Sequence, residues 1–305
     1  MYDLIIIGAG PAGLTAALYA GRFGLNTLVL EKMGIGGQII LSSTIENYPG
    51  FPGGITTVEL IERIEKQVKD LGIQVEFQEV LEINPLPKST PPIYNIVTKD
   101  KSYQAKCVII AVGTQPKRLG AAGEEKLIGR GVSYCGTCDG PLFKGKQITV
   151  IGGGDRAIEE AIFLSNYAKK VTVIHRRDAL RTSKILEEKA RAIPKISFVL
   201  ESVVEEIIGK EKVEAVKIRN VANNSMSNLS CQGVFVFVGI KPNTDFLKDI
   251  LQLDKSGFII TDQDLNTSLK GIFACGDCRQ KTLYQVITAC GDGATAAALA
   301  HRYLL

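Results

Sequence analysis

The sequence predicts an α/β protein made of two similar three-layer (ββα) units, one inserted in the other. Residues 3–31 and 147–177 each read as strand, glycine turn, helix and strand. In both copies 23 positions separate the first glycine of the turn from the residue closing the second strand, Gly8 to Glu31 and Gly152 to His175. Strand-like Cys107–Ala111 runs into Val112-Gly113-Thr114-Gln115-Pro116, and Val234–Val238 into Gly239-Ile240-Lys241-Pro242-Asn243. These read as an exit from the first unit and a return to it. The expected division is therefore 1–114 with 243–305, and 115–242 between them.

A chain of 305 residues has room for two domains of about 100–200 residues. With 45% hydrophobic and 22% charged residues it can bury a sizeable core, which sets aside disordered and fibrous classes. A net charge of +4 without a long basic run gives nucleic-acid binding little support. The apolar opening Asp3–Ile7 has no basic segment before it and is cut short by Gly8-Ala9-Gly10, so no signal peptide is expected. No run approaches the ~18–20 apolar residues that cross a bilayer. A cytoplasmic protein is the expectation. Seven cysteines, an odd number, fit a reducing compartment, where a CxxC is catalytic or metal-binding rather than a structural staple.

In the first copy, strand Asp3–Ile7 meets Gly8-Ala9-Gly10-Pro11-Ala12-Gly13, then a helix over Leu14–Phe23 and a strand over Asn26–Glu31. The glycines allow a tight turn and let backbone N–H groups approach a pyrophosphate at a helix N-terminus, the fingerprint of a Rossmann-like dinucleotide site. Glu31 can accept from a ribose 2′-OH and would repel a 2′-phosphate. The second copy has strand Gln147–Ile151, turn Gly152-Gly153-Gly154-Asp155-Arg156-Ala157, a helix through Ala168, and a strand from Val171 ending at His175-Arg176-Arg177, with Arg181 a turn further on. Guanidinium groups bind phosphate bidentately, so this end suits an adenosine 2′-phosphate; the alternative is a solvated charged face. Arg156, inside the phosphate turn, could contact the pyrophosphate or obstruct it. Pro85–Pro92 reads as a surface loop.

Tyr134-Cys135-Gly136-Thr137-Cys138-Asp139-Gly140 lies just before the second copy. A two-residue spacer at a helix start lets the sulfurs meet and lowers a thiol pKa, so the pair can cycle between dithiol and disulfide. Zinc would need two more ligands, and the only histidines, His175 and His301, have no finger spacing with the pair. No metal is expected. Asp139 can lend and retrieve a proton, or simply cap a helix. The second CxxC, Cys275-Gly276-Asp277-Cys278, follows apolar Ile272-Phe273-Ala274 and precedes a glycine-rich helical segment, Cys290–Ala294. For Cys275, Cys278, Cys290 and Cys107 the favoured reading is small buried residues; Cys231 is left open.

End to end, the chain resembles the low-molecular-weight, prokaryotic-type thioredoxin reductases. The resemblance is carried by Gly8–Gly13, Gly36-Gly37-Gln38, Glu46-Asn47-Tyr48-Pro49-Gly50, Cys135–Gly140, Gly152–Ala157, His175-Arg176-Arg177 with Arg181, and Gly271–Asp277. It implies FAD across the first domain, with Gly276 and Asp277 near its ribityl and phosphate portion and Gln38 and Asn47 lining the flavin site. Lys32, Gly37, Ala111, Gly113, Gln285 and Val286 join the implied cofactor residues. It implies NADPH on the second domain, Cys138 facing the flavin, Cys135 attacking the disulfide of thioredoxin, and Asp139 as acid. It also implies a homodimer whose second domain rotates; one flavin face cannot receive hydride and face a disulfide at once, and a hinge near 114–117 and 240–243 would resolve this. Two positions depart from the pattern: Arg156 stands for a small hydroxyl residue, and Tyr284 stands before Gln285 where arginine is common. Two other readings stay open: a flavin thioredoxin reductase fed by ferredoxin, whose members tend to lose the basic strand end kept here, and a non-catalytic flavoprotein.

Overall fold

The computed structural model describes residues 1–41, 44–87, 89 and 91–305. Lys88 and Thr90, in the Pro85–Pro92 segment expected as a loop, are outside the described residues, as are Ser42 and Ser43. The chain divides into two compact units, Met1–Gln115 with Lys241–Leu305, and Pro116–Ile240.

The first unit begins β1 (Tyr2–Ile7), α1 (Pro11–Arg22), β2 (Thr27–Glu31), β3 (Thr44–Ile45), β4 (Ile55–Thr56) and α2 (Thr57–Asp70). It continues through β5 (Gln74–Phe77), β6 (Val80–Pro85), β7 (Tyr94–Thr98), β8 (Ser102–Ile110) and β9 (Thr114–Pro116). The inserted unit holds α3 (Glu124–Leu127), β10 (Val132–Ser133), α4 (Gly136–Asp139), β11 (Gln147–Ile151), α5 (Asp155–Leu164), β12 (Lys170–Ile174) and α6 (Lys184–Arg191). Strands β13 (Ile196–Val199), β14 (Ser202–Ile208), β15 (Ala215–Asn220), β16 (Met226–Ser230), β17 (Gly233–Val236) and β18 (Ile240–Pro242) follow. The chain then completes the first unit with β19 (Ile272–Ala274) and α7 (Val286–Leu304).

In the first unit the sheet runs β5-β2-β1-β8-β7-β6, with β19 also paired to β8. Strands β5, β2, β1, β8 and β19 are parallel; β7 and β6 extend the sheet antiparallel. A parallel strand is covered on both faces, which is why β1 is apolar without alternation. Leu4 and Ile6 join one core with α1, α2 and α7, while Ile5 and Ile7 join the core on the other face. The second unit repeats the plan with a parallel β10-β17-β11-β12-β13 sheet. Its Ile148 and Val150 face α5 and α6, and Ile151 faces the core shared with the antiparallel β14-β15-β16 sheet.

Two helix boundaries differ from the sequence expectation. Helix α1 starts inside the glycine motif, at Pro11 rather than Leu14, because proline's fixed φ and absent N–H suit the first helical position. Helix α5 stops at Leu164 rather than Ala168: the amides of Asn166 and Tyr167 turn to the carbonyls of Phe163 and Leu164, three residues back.

Candidate functional site

The first glycine turn is fixed by close backbone approach. A Cβ at Gly13 would overlap the Gly8 carbonyl, and one at Gly8, whose φ is +107°, would overlap the Ala111 carbonyl. Ala111 N–H in turn donates to Ile7 O at 2.8 Å, and Gly113 O accepts from Asn243 N–H at 3.1 Å. A Cβ at Gly10 would have only the Gly36 carbonyl within 4 Å, at 3.9 Å, and α1 has no acidic residue in its first turn. Pro11 and Ala12 follow as its first residues. This is a cradle for an anion.

Glu31 ends β2, and its carboxylate accepts from Ala9 N–H at 2.7 Å and Met33 N–H at 2.9 Å. Each oxygen keeps a second lone pair for a sugar hydroxyl. Lys32 pairs with Glu79 at 2.5 Å. Gly36 N–H donates to Ala9 O, drawing Gly37 and Gln38 onto the turn. The Gln38 Oε1 is buried without a donor, an acceptor that a ring N–H could satisfy. Asn47 donates to Gln285 Oε1 at 3.0 Å, joining two expected flavin residues distant in sequence. Val286 opens α7 directly after Gln285, its N-cap.

A cluster missed in the sequence lies beside Gly276 and Asp277. Asp292 on α7 accepts from Arg279 Nε and Nη2, both at 2.9 Å, and from Gly276 N–H at 3.1 Å. Lys281 bridges Asp292 at 3.3 Å and Asp277 at 3.1 Å. Burial raises the Asp277 carboxyl, and Lys281 opposes it. Tyr284 packs on Phe258, ring centroids 5.4 Å apart, and the Lys281 ammonium lies over its ring, 5.8 Å from the centroid.

The second turn has the same architecture and a different charge. Gly152 has φ +143°, and nothing stands within 4 Å of a Cβ at Gly154. Asp155 Oδ1 accepts from Thr182 Oγ1 at 2.8 Å and Ser183 N–H at 2.7 Å, and Arg181 N–H donates to Gly153 O at 2.6 Å. These bonds bring Arg181 to the turn. Ala157 is buried in the core behind it. The His175 ring fills the space a side chain at Gly153 would take. Burial, then the charges of Arg177, Arg176 and Arg181, hold the imidazole below its usual pKa. So the three arginines lie near one edge, where their charges disfavour the protonated form of His175. His175 Nε2 and the Nε and Nη2 of Arg156 are buried without partners. The Arg156 guanidinium sits over the Phe237 ring at 5.6 Å. Unpartnered cationic donors at an open glycine turn fit a phosphorylated nucleotide.

Cys135 and Cys138 form a disulfide. Cys135 caps α4, where its Sγ accepts from Cys138 N–H at 3.1 Å. The Cys135 backbone is held by Ser133, whose hydroxyl donates to Cys135 O and accepts from Cys135 N–H. Cys135 is 9% exposed, whereas Cys138 is exposed. Asp139 is the last residue of α4, half-buried, and caps no helix N-terminus through its side chain. Ahead of the pair, buried Glu124 accepts from Leu119 and Gly120 N–H and from the Tyr134 hydroxyl. The free cysteines, Cys107, Cys231, Cys275, Cys278 and Cys290, are all buried; Cys275 and Cys278 are not joined. Burial raises the thiol pKa of Cys107, Cys231, Cys275 and Cys278. Among the described residues no His, Cys, Asp and Glu group could hold a metal ion, and no helix is long and apolar enough to cross a membrane.

Two dinucleotide folds in one chain, one bearing a redox disulfide, define a nucleotide-dependent disulfide oxidoreductase. Known proteins agree. A thioredoxin reductase from Listeria innocua is 43% identical over 305 residues, covering 100% of this chain and 94% of its own. A crystal structure of Lactococcus lactis thioredoxin reductase matches with TM-score 0.96 and 40% identity, covering 100% of this chain and 99% of that one. A ferredoxin-flavin thioredoxin reductase from Clostridium acetobutylicum matches with TM-score 0.53 and 32% identity, covering 99% and 97%. The model of the pyridine nucleotide-disulphide oxidoreductases matches residues 2–293, and the chain belongs to that family.

Proposed function

We propose that the chain is a thioredoxin reductase: it moves an electron pair from NADPH, by way of FAD, to the Cys135–Cys138 disulfide and on to the disulfide of thioredoxin. The observation that carries the reading is the disulfide at the start of α4, in a chain with two dinucleotide turns of opposite charge. FAD belongs on the unit whose turn ends at Glu31, held by Gly8–Gly13, Gln38, Asn47, Gly276 and Asp277. NADPH belongs on the unit whose turn ends at Arg176 and Arg177. When bound, the flavin supplies the step between hydride and electron-pair chemistry.

The chain's own residues do the rest. Once the disulfide is opened, the Cys138 N–H stabilises the Cys135 thiolate, which attacks the partner's disulfide. Cys138 then closes on Cys135 and releases the partner, and Asp139 holds the proton that the leaving sulfur takes. The same reading makes the protein a cytoplasmic homodimer whose second unit rotates about segments near 114–117 and 240–243, so that nicotinamide and disulfide take turns at the flavin.

Titrating the purified protein with NADPH while following its visible spectrum, then adding thioredoxin, tests the reading. Bleaching by NADPH followed by thioredoxin reduction is expected; bleaching by reduced ferredoxin alone overturns it. The charge at the β12 end makes a second expectation. Arg176→Ala with Arg177→Ala should raise KM for NADPH by roughly 10²-fold, about 3 kcal/mol for two lost charge-assisted contacts. KM for NADH should change less than threefold; equal losses for both would show that these arginines do not read a 2′-phosphate.

A further inference from the structure

We infer that Glu160 is a buried positioning residue for the sulfur pair: its carboxylate, seated beneath Gly136, sets how the reduced Cys135 and Cys138 share their protons. The inference rests on the proposed redox role of that pair and adds a residue to it. Glu160 is 4% exposed on α5, one turn after Arg156. Its Oε2 occupies the space into which a side chain at position 136 would project, with Leu164 lining the remainder. Gly136 has an ordinary negative φ, so glycine there is required by the carboxylate and not by the backbone.

The Gly136 N–H favours the ionised carboxylate, yet neither oxygen completes a hydrogen bond of ordinary geometry. A carboxylate left this way in a protein interior serves packing poorly. Burial pushes it up to about 7, against the pull of Arg156 and with the push of Glu159. Helix α4 brings Cys135, Cys138 and Asp139. Of the other elements on α5, β11 has no charged residue and β12 only the exposed Lys170. Helix α6 pairs Glu187 with Arg191 and Lys184 with Glu188, with Lys189 exposed.

Reduction places two electrons in the sulfur–sulfur bond, which breaks. With one proton from solvent it leaves a thiol and a thiolate, and with two it leaves a dithiol. A negative charge behind Gly136 disfavours the thiolate, so a neutral Glu160 shifts the balance toward it. Conversely, a thiolate draws a proton onto Glu160.

The full-length protein in a dithiothreitol redox buffer tests this without nucleotide or thioredoxin, so its outcome is separate from that of the enzyme reading. At pH 8.5, E160Q should raise the equilibrium constant for reduction about tenfold, or about 30 mV. Its alkylation profile with iodoacetamide should move about one pH unit lower. At pH 6, where the native carboxyl is protonated, the two proteins should coincide. E160D should restore the native profile even if it melts as early as E160Q, an outcome that a merely structural role does not give. Superimposed profiles for E160Q and the native protein from pH 6 to 8.5 overturn the inference. Should E160Q not fold, the infrared difference spectrum of the native protein on reduction at pH 8 decides: a protonated-carboxyl band must appear, and its absence overturns the inference.

Discussion

Cys138→Ser should abolish thioredoxin turnover while NADPH still bleaches the flavin, and it should trap thioredoxin on Cys135 as a mixed disulfide. The reasoning is electronic and geometric. Without Cys138 no disulfide can form to accept the electron pair, yet the two glycine turns lie elsewhere in sequence and are untouched. A sulfur that accepts an amide hydrogen bond is the better thiolate, and Cys135 is that sulfur. Exposure points the other way, since Cys138 is the more accessible of the two. The trapping experiment therefore decides between the two criteria. Adduct on Cys135→Ser instead of Cys138→Ser would assign the attack to Cys138, and turnover surviving in either variant would remove the pair from the electron route.

The second large effect concerns stability. Asp292→Ala should cost about 3 kcal/mol, no more than the lower end for a buried ion pair since this one is partly buried, because Arg279, Lys281 and the Gly276 amide all converge on that carboxylate. Flavin should be lost with it, since Gly276 and Asp277 lie next to the proposed ribityl-phosphate site. Burial pushes the Asp292 carboxyl up, but the Arg279 hydrogen bonds and the charges of Lys281 and Arg279 outweigh it and hold it below the usual range. A carboxyl whose folded pKa is depressed stabilises above its unfolded pKa, and that contribution fades as pH falls through the folded value. Urea titrations of both proteins should therefore differ most at pH 6–7 and converge toward pH 3. A difference below about 1 kcal/mol at pH 7 would mean that the cluster is dispensable.

The chemistry-bearing motifs were legible because each is local. The glycine turns, the opposite charges at Glu31 and at Arg176-Arg177, and Cys135–Cys138 all sit within a few residues of the feature that gives them meaning. What stayed hidden depends on packing between distant segments. Asp292 meets Gly276 and Arg279 only because α7 returns across α1, where a Cβ at Gly293 would overlap the Ala12 carbonyl. Glu31 also had a second duty, as acceptor for two backbone amides, which residue type does not announce. Glu160 did leave a trace: it falls on the stripe of Ala157, Ile158, Ala161 and Leu164, an acid at a core position of an amphipathic helix. Its partner, 24 positions earlier in the chain, left none.

The four deeply buried cysteines, Cys107, Cys231, Cys275 and Cys278, have a practical consequence. Native protein treated with an excess of a thiol reagent after mild reduction should be labelled at the start of α4, on Cys135 and Cys138, and not at Cys107, Cys231, Cys275 or Cys278, which are buried and held as thiols. Fluorophores or spin labels can thus be placed at the start of α4 without deleting any of those four residues.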